Sequence, residues 1–336
     1  MATERKKFSR KRNTVNADED IGDDFFDRMV EEISKDKDHG FIVPSGVNEP
    51  LVQVNTFIPM PKPISRTLSC PGVPCGLITE VFGPPDAGKS TFCIETLKQC
   101  QMAGGVPILM LSELKFDLKR AADVGLDVKR ILIKKPKTIE DVQEYIHDIV
   151  FYLKKVKSKR PVTVVLDSLS ATPCRKELDE KRGDFAGDQA AAITIMLRKT
   201  QALIRDHNIA FVMINQISVK IGAMAFGKKT DSKGGYAPKF YSALRIEFAK
   251  IGRVRADDDE KGSDFCGIKT KMTVEKNHIG TPFKSLIIPI DYKGFVIDRD
   301  IERKPEPAED VEEVKPKKNS RKKVEESEEE EFEVEE

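Results

Sequence analysis

Residues 83–90 read Gly83-Pro84-Pro85-Asp86-Ala87-Gly88-Lys89-Ser90, a complete G-x-x-x-x-G-K-[ST] phosphate loop. The apolar run 77–82 precedes it and an apolar-periodic stretch opens at Thr91, so the motif lies between a strand and a helix, the setting it requires. Gly83 and Gly88 let the backbone curl until consecutive N–H groups face a phosphate, and the helix behind adds its positive end. Lys89 is placed to neutralise the β- and γ-phosphates and the Ser90 hydroxyl to hold Mg²⁺. Residues 83–91 are therefore expected to bind a nucleoside triphosphate with Mg²⁺.

Outward from this loop, the core from about 76 to 298 alternates apolar strand patterns (77–82, 106–111, 131–133, 162–166 and 209–214) with helical ones. Such alternation predicts an α/β fold with a mostly parallel central sheet and crossover helices. Three further runs, 244–248, 271–275 and 286–290, follow without long helices between them and suggest antiparallel edge strands. The run Val162-Thr-Val-Val-Leu-Asp167 ends a buried-strand pattern in a carboxylate, as expected of the Asp that orients the magnesium ion. The strand ending at Leu111 leads into Ser112-Glu113, and a Glu at the carboxyl edge of the neighbouring strand is placed to polarise an attacking water. Alone, Glu113 reads more readily as a helix-capping carboxylate.

The flanks are polar. Of the 336 residues 39% are hydrophobic, enough for one sizeable core with extensions, and the net charge of +1 conceals segregation. Residues 5–12 hold six basic side chains and residues 325–336 nine carboxylates with no base. Without that acidic stretch the formal charge is +10, which suits a polyanion partner. The acidic end is expected to compete with such a polyanion for basic surface, including Lys315, Lys317, Lys318, Arg321, Lys322 and Lys323. Residues 1–22 read as a disordered basic arm, 23–63 as a short helix (Phe25, Phe26, Met29, Val30 and Ile33 on one face, Asp23 as cap) followed by an extended oligomerisation arm, and 301–336 as a disordered basic-then-acidic tail. Seven prolines between Gly40 and Pro74 argue for an extended segment. Six cysteines without a C-x-x-C pair exclude a zinc module or disulfide framework. No apolar signal segment and no membrane span are present in the sequence, so a cytoplasmic location is expected.

Three blocks carry a more specific match: residues 215–227 (NQISVKIGAMAFG), 234–245 (GGYAPKFYSALR) and 276–283 (KNHIGTPF). Over about residues 64–298, read as an ATPase and DNA-binding core extending to 300, the chain resembles the bacterial RecA recombinases. The resemblance implies a RecA-like ATPase fold, ATP and Mg²⁺ as cofactors, helical self-assembly on single-stranded DNA, and homologous pairing with duplex DNA; single-strand-binding or loader proteins are further expected partners. It implies Glu113 as catalytic base, Asp167 as the magnesium aspartate and Gln216 as the γ-phosphate sensor that signals to a DNA loop at about 217–233. A first DNA loop is expected near 178–188. Lys276 and His278 occupy the positions from which two lysines reach the neighbouring protomer's ATP.

Arg120 stands where an adenine-stacking Tyr is usual, and a guanidinium also stacks on a flat base. One residue is inserted around Ala225, and only 36 polar residues follow Asp300 in place of a globular C-terminal domain. This abbreviated form resembles the UvsX-like recombinases of tailed phages. Two alternatives are a ring-forming RecA-fold motor of the RadA/Sms branch-migration type, echoed by the 276–280 motif, and a non-hydrolysing recombination mediator. Missing zinc cysteines weigh against the first, and the complete set Lys89, Glu113 and Asp167 against the second.

The second loop also reads on its own terms. It carries Lys220, Lys228, Lys229 and Lys233 with Ile221, Met224 and Phe226 among them. Cations track phosphates while apolar tips stack on or wedge between bases. A buried Phe226 with solvated lysines is the equally weighted alternative from residues alone.

Overall fold

The computed structural model describes residues 28–31, 54–113, 116–179, 187–219, 230–255 and 265–297. Residues 28–31, within the expected short helix, form a helical turn; the whole of the basic arm 1–22 and of the 301–336 tail lies outside the described residues. In chain order the elements are β1 (Phe57–Pro59), α1 (Lys62–Leu68), β2 (Gly72–Pro74), β3 (Ile78–Gly83), α2 (Lys89–Met102), β4 (Val106–Leu111) and α3 (Leu118–Asp123). Next come β5 (Leu132–Lys134), α4 (Ile139–Val156), β6 (Val162–Asp167), α5 (Asp188–Asp206), β7 (Ile209–Val219), β8 (Thr230–Ser232) and α6 (Ala237–Tyr241). Four strands close the described chain: β9 (Leu244–Arg255), β10 (Phe265–Asn277), β11 (Ser285–Asp291) and β12 (Gly294–Phe295).

The main sheet has the order β12-β11-β10-β9-β3-β7-β6-β4-β5, with β8 attached to β7. From β9 to β5 all neighbours are parallel, and β10, β11 and β12 are antiparallel. Strand residues alternate between two dry faces. Along β7, Ala210, Val212 and Ile214 join one apolar cluster with α1, α2, β1 and β2, while Ile209, Phe211 and Met213 join the other, with α4 and α5. A period of two with both faces buried is what crossover helices on each side of a parallel sheet demand.

Three expectations are corrected. The strand at 244–248 is not a purely antiparallel edge strand: β9 pairs in parallel with β3, from Thr79↔Leu244 to Phe82↔Glu247, and turns antiparallel only toward β10. β4 is not the spatial neighbour of β3, because β7 and β6 lie between them. The extended reading fails for the later part of 40–74, where Ile58, Ile64, Leu68 and Val73 are fully buried. There the prolines start a helix, with Pro61 as the cap of α1 and Pro63 in its first turn, where a missing N–H costs nothing.

The phosphate loop follows the central strand β3 and opens α2, which is buried on nearly every side: Phe92, Cys93, Ile94, Leu97 and Cys100 are inaccessible. Two glycines let it sit against the antiparallel strands. A Cβ on Gly83 would lie 2.1 Å from the Phe248 carbonyl oxygen, and one on Gly88 2.4 Å from Ile290 Cδ1. Gly88 also holds φ = 102°, open to glycine at little cost.

Candidate functional site

At the carboxyl ends of β3, β7, β6 and β4 a cavity of about 310 Å³ is lined by Pro85, Asp86, Lys89, Ser90, Glu113, Asp167 and Gln216, among others. The Lys89 ammonium is turned back onto its own loop, donating to the carbonyls of Gly83 at 3.0 Å and Pro84 at 2.5 Å. Burial pulls its pKa down, against the pull of Asp167, Cys93, Asp86 and Glu113 in the other direction. A desolvated ammonium held by two neutral carbonyls is poised to exchange them for phosphate oxygens.

Opposite stands a pair of carboxylates. Burial, and then the charge of Glu113, push the Asp167 carboxyl up to about 6, with Lys89 opposing. Glu113 Oε1 accepts from Ser168 Oγ at 2.7 Å and from Gln216 Nε2 at 3.2 Å. Although β4 is remote from β3 in the sheet, Glu113 reaches Gln216 because the chain leaving β4 leans across the end of β6: the Ser112 and Glu113 N–H groups both donate to the Asp167 carbonyl. Among the described residues no group of three or more His, Cys, Asp or Glu forms a metal cage. A half-buried, hard-to-ionise Asp167 lining the same cavity as Ser90 fits Mg²⁺, which keeps much of its water and binds through one or two carboxylates plus substrate phosphates.

A second cavity of about 500 Å³ shares Asp86, Lys89, Ser90, Asp117 and Arg120 with the first and extends to Gly267, Ile268, Ile290 and Tyr292. Arg120 lines both and donates to Thr91 Oγ1 at 2.9 Å. Asp117 caps α3 by accepting from the Arg120 N–H, and the Tyr292 hydroxyl bonds Asp123 at the other end of that helix. Asp117, Ser168 and Tyr292 were not anticipated from sequence. Asp117 was legible as a cap three residues before Arg120, whereas Tyr292 comes from a turn 169 residues beyond its partner.

Behind the cavity runs a buried polar network that sequence reasoning missed. Glu80, fully buried on β3, accepts from Arg245 Nε at 2.5 Å and Asn215 Nδ2 at 2.9 Å. The Arg245 guanidinium stacks 4.5 Å over the Phe82 ring and also donates to Ser232 Oγ at 3.1 Å. Asn215 Nδ2 further donates to the Lys233 carbonyl at 2.7 Å. The network thus ties β3, β7 and β9 to the residues that follow β8.

Of the expected DNA residues, Lys220, Ile221, Met224, Phe226, Lys228 and Lys229 lie outside the described residues, as does most of the first DNA loop. Lys233 is described and exposed. The stem of the second loop is more regular than expected: Ile217, Ser218 and Val219 pair antiparallel with Ser232, Asp231 and Thr230.

Lys276 and His278 are not brought to the protomer's own phosphate loop. They sit at the opposite end of the sheet, where Lys276 pairs with Arg245 and the His278 N–H donates to the Ala243 carbonyl, beside the start of β3. Lys276 Nζ donates to the carbonyls of Lys239 and Phe240 at the end of α6. The exposed His278 has its pKa lowered by partial burial and then by the nearby Lys276.

No helix among the described residues is long and apolar enough to cross a membrane. A family model described as the RecA N-terminal domain matches residues 25–296. Similar proteins include the "Mitochondrial DNA repair protein recA homolog" of Dictyostelium discoideum, 30% identical over 271 residues, which are 80% of this chain and 57% of that protein. "Protein RecA" of Rhizobium leguminosarum bv. viciae is 32% identical over 264 residues, 78% of this chain and 72% of that protein. "Protein RecA" of Allorhizobium ampelinum is 33% identical over 264 residues, 78% of this chain and 70% of that protein.

Proposed function

The chain belongs to the RecA family of ATP-dependent DNA recombinases, and we propose that it is a DNA-dependent ATPase that polymerises on single-stranded DNA and pairs it with homologous duplex. The observation that carries the reading is Gln216. It touches Glu113 through Nε2, and its own strand β7 continues without a break into the paired stem of the second loop. Hydrolytic carboxylate and DNA loop are thereby one residue apart in hydrogen bonds.

In this reading the phosphate loop from Gly83 to Thr91 cradles the triphosphate, and Lys89 exchanges the Gly83 and Pro84 carbonyls for phosphate oxygens. Arg120 lies against the nucleobase. Ser90 and Asp167 hold Mg²⁺, which supplies positive charge against the triphosphate. Glu113 takes a proton from the water that attacks the γ-phosphorus. The bond from that phosphorus to the β–γ bridging oxygen breaks, and ADP and phosphate leave. Lys276 and His278, remote from this protomer's own loop, face the ATP of a neighbouring copy in the filament. Residues 23–63 serve assembly, and the basic arm and charged tail tune contact with DNA and with loader or single-strand-binding proteins in the cytoplasm.

ATPase rates with and without single-stranded DNA, followed by imaging of the assemblies, test the reading. Stimulated hydrolysis on helical filaments supports it. Rings would transfer it to a branch-migration motor, and an unstimulated binder to a mediator.

A further inference from the structure

Lys233 closes a hydrogen-bond chain on Glu113 that ordinary loop geometry does not require. Its backbone is already fixed to β7: the N–H donates to the Gln216 carbonyl at 2.9 Å and the carbonyl accepts from Asn215 Nδ2. The exposed side chain then folds inward, and Nζ donates to Gln216 Oε1 at 3.3 Å. An ammonium has no acceptor, so the Gln216 atom facing it must be the amide oxygen, which leaves the NH₂ to face Glu113. Lys233 and the Glu113 carboxylate therefore hold the Gln216 amide from its two ends. With Ser168 donating to the same Oε1, that Glu113 oxygen already accepts two hydrogen bonds from the protein, which occupy the lone pairs a water would need.

We infer that Lys233 is a positioning residue for ATP hydrolysis: its ammonium holds the Gln216 amide against Glu113, and a DNA phosphate that captures the ammonium frees both. The position suits such a competition. Lys233 ends the paired stem of a loop that carries Lys220, Lys228 and Lys229, and a phosphate is a stronger partner for an ammonium than a neutral amide oxygen. Once the ammonium leaves, only the 3.2 Å bond to Glu113 still holds the amide, and Gln216 can exchange it for a γ-phosphate oxygen. This rests on the proposed DNA-dependent hydrolysis with Glu113 as the base; the wild-type response to DNA tests the DNA dependence separately, and Glu113→Gln tests the base.

The test measures steady-state ATP hydrolysis of the full chain without DNA and at saturating oligo(dT), so that weakened DNA affinity does not enter. Lys233→Met should raise the DNA-free rate about 3- to 10-fold, the effect of losing one modest hydrogen bond, and leave the DNA-saturated rate within about twofold. Lys233→Arg should restore the wild-type ratio. On a Gln216→Ala background, Lys233→Met should change the DNA-free rate no further, because both act through one contact. An unchanged DNA-free rate in Lys233→Met overturns the inference, and so does an equal rise on the Gln216→Ala background. A wild type that single-stranded DNA fails to stimulate would instead count against the functional reading, while the DNA-free comparison still decides the Lys233 contact.

Discussion

Two acidic side chains on strands of one sheet, Glu80 on β3 and Asp167 at the end of β6, meet opposite treatment. Glu80 has no exposed surface, yet Arg245 and Asn215 supply both of its oxygens with donors. Asp167 faces the carboxylate of Glu113 and ionises only near pH 6. The first site is complete as it stands; the second carries surplus negative charge beside a lysine whose pKa burial lowers. A satisfied carboxylate holds strands together, whereas an uncompensated one marks where a cation and a phosphate chain belong.

Breaking the open end should cost activity and spare the fold. Glu113→Gln is expected to lower DNA-stimulated hydrolysis about 10²- to 10⁴-fold while ATP and DNA binding persist and filaments become long-lived, measured by phosphate release and imaging. Lys89→Ala should abolish stimulated hydrolysis. Normal turnover in either variant would dissolve the distinction.

Breaking the closed end should do the reverse. Glu80→Gln leaves the Arg245 guanidinium, its side chain 12% exposed, without its counter-charge, an expected loss of about 3–5 kcal/mol in denaturant unfolding. Glu80→Gln with Arg245→Met should recover part of that loss. A loss below about 1 kcal/mol would mean the pair behaves as a surface one.

Asp167→Asn sharpens the contrast, because removing the charge should stabilise the nucleotide-free protein. The folded pKa lies above the unfolded value of 3.8, so ionised Asp167 opposes folding. That cost is absent below about pH 4, grows between pH 4 and 6 and is full above pH 6. The gap between 3.8 and about 6 corresponds to at most about 3 kcal/mol. A gain of about 2 kcal/mol is therefore expected at pH 7.5, appearing as a rise in Tm of several degrees that fades at pH 4. Mg²⁺ with a non-hydrolysable ATP analogue should reverse the order. Equal melting of the two proteins at both pH values would show that Asp167 is adequately solvated.

The smallest effect is expected at the far end of the sheet. His278 is shifted toward the neutral form by burial and Lys276, so only a neighbour's triphosphate can draw a proton onto it near pH 7. His278→Lys should raise DNA-stimulated hydrolysis above pH 7.5 and flatten the profile between about pH 6 and 8. A mutant that keeps the wild-type profile removes His278 as the titrating group.

The open end was far more legible in the sequence than the closed one. Residues 83–90 are contiguous, and Asp167 terminates a run of buried β-branched residues, so local pattern alone located Lys89, Ser90 and Asp167. Glu80 and Arg245 are 165 residues apart, and each alone reads as an ordinary charged residue in a strand; only the parallel register of β3 and β9 pairs them. That register was itself missed, because an absent helix between 244–248 and the following strands argued for antiparallel neighbours while giving no information about the strand on the other side. Arg120 and Tyr292 both line the second cavity, but Tyr292 carries no local signal.

Gly83 and Gly88 bear on any attempt to build chimeras from relatives of this protein. Their missing side chains are filled by the Phe248 carbonyl and the Ile290 methyl, which belong to segments far along the chain. A graft that exchanges residues 244–291 without the loop, or the loop without those residues, joins surfaces shaped for different counterparts. The smallest transplantable unit is therefore discontinuous, running from β3 into α2 and again from β9 through β11, and a donor sequence has to supply both pieces together.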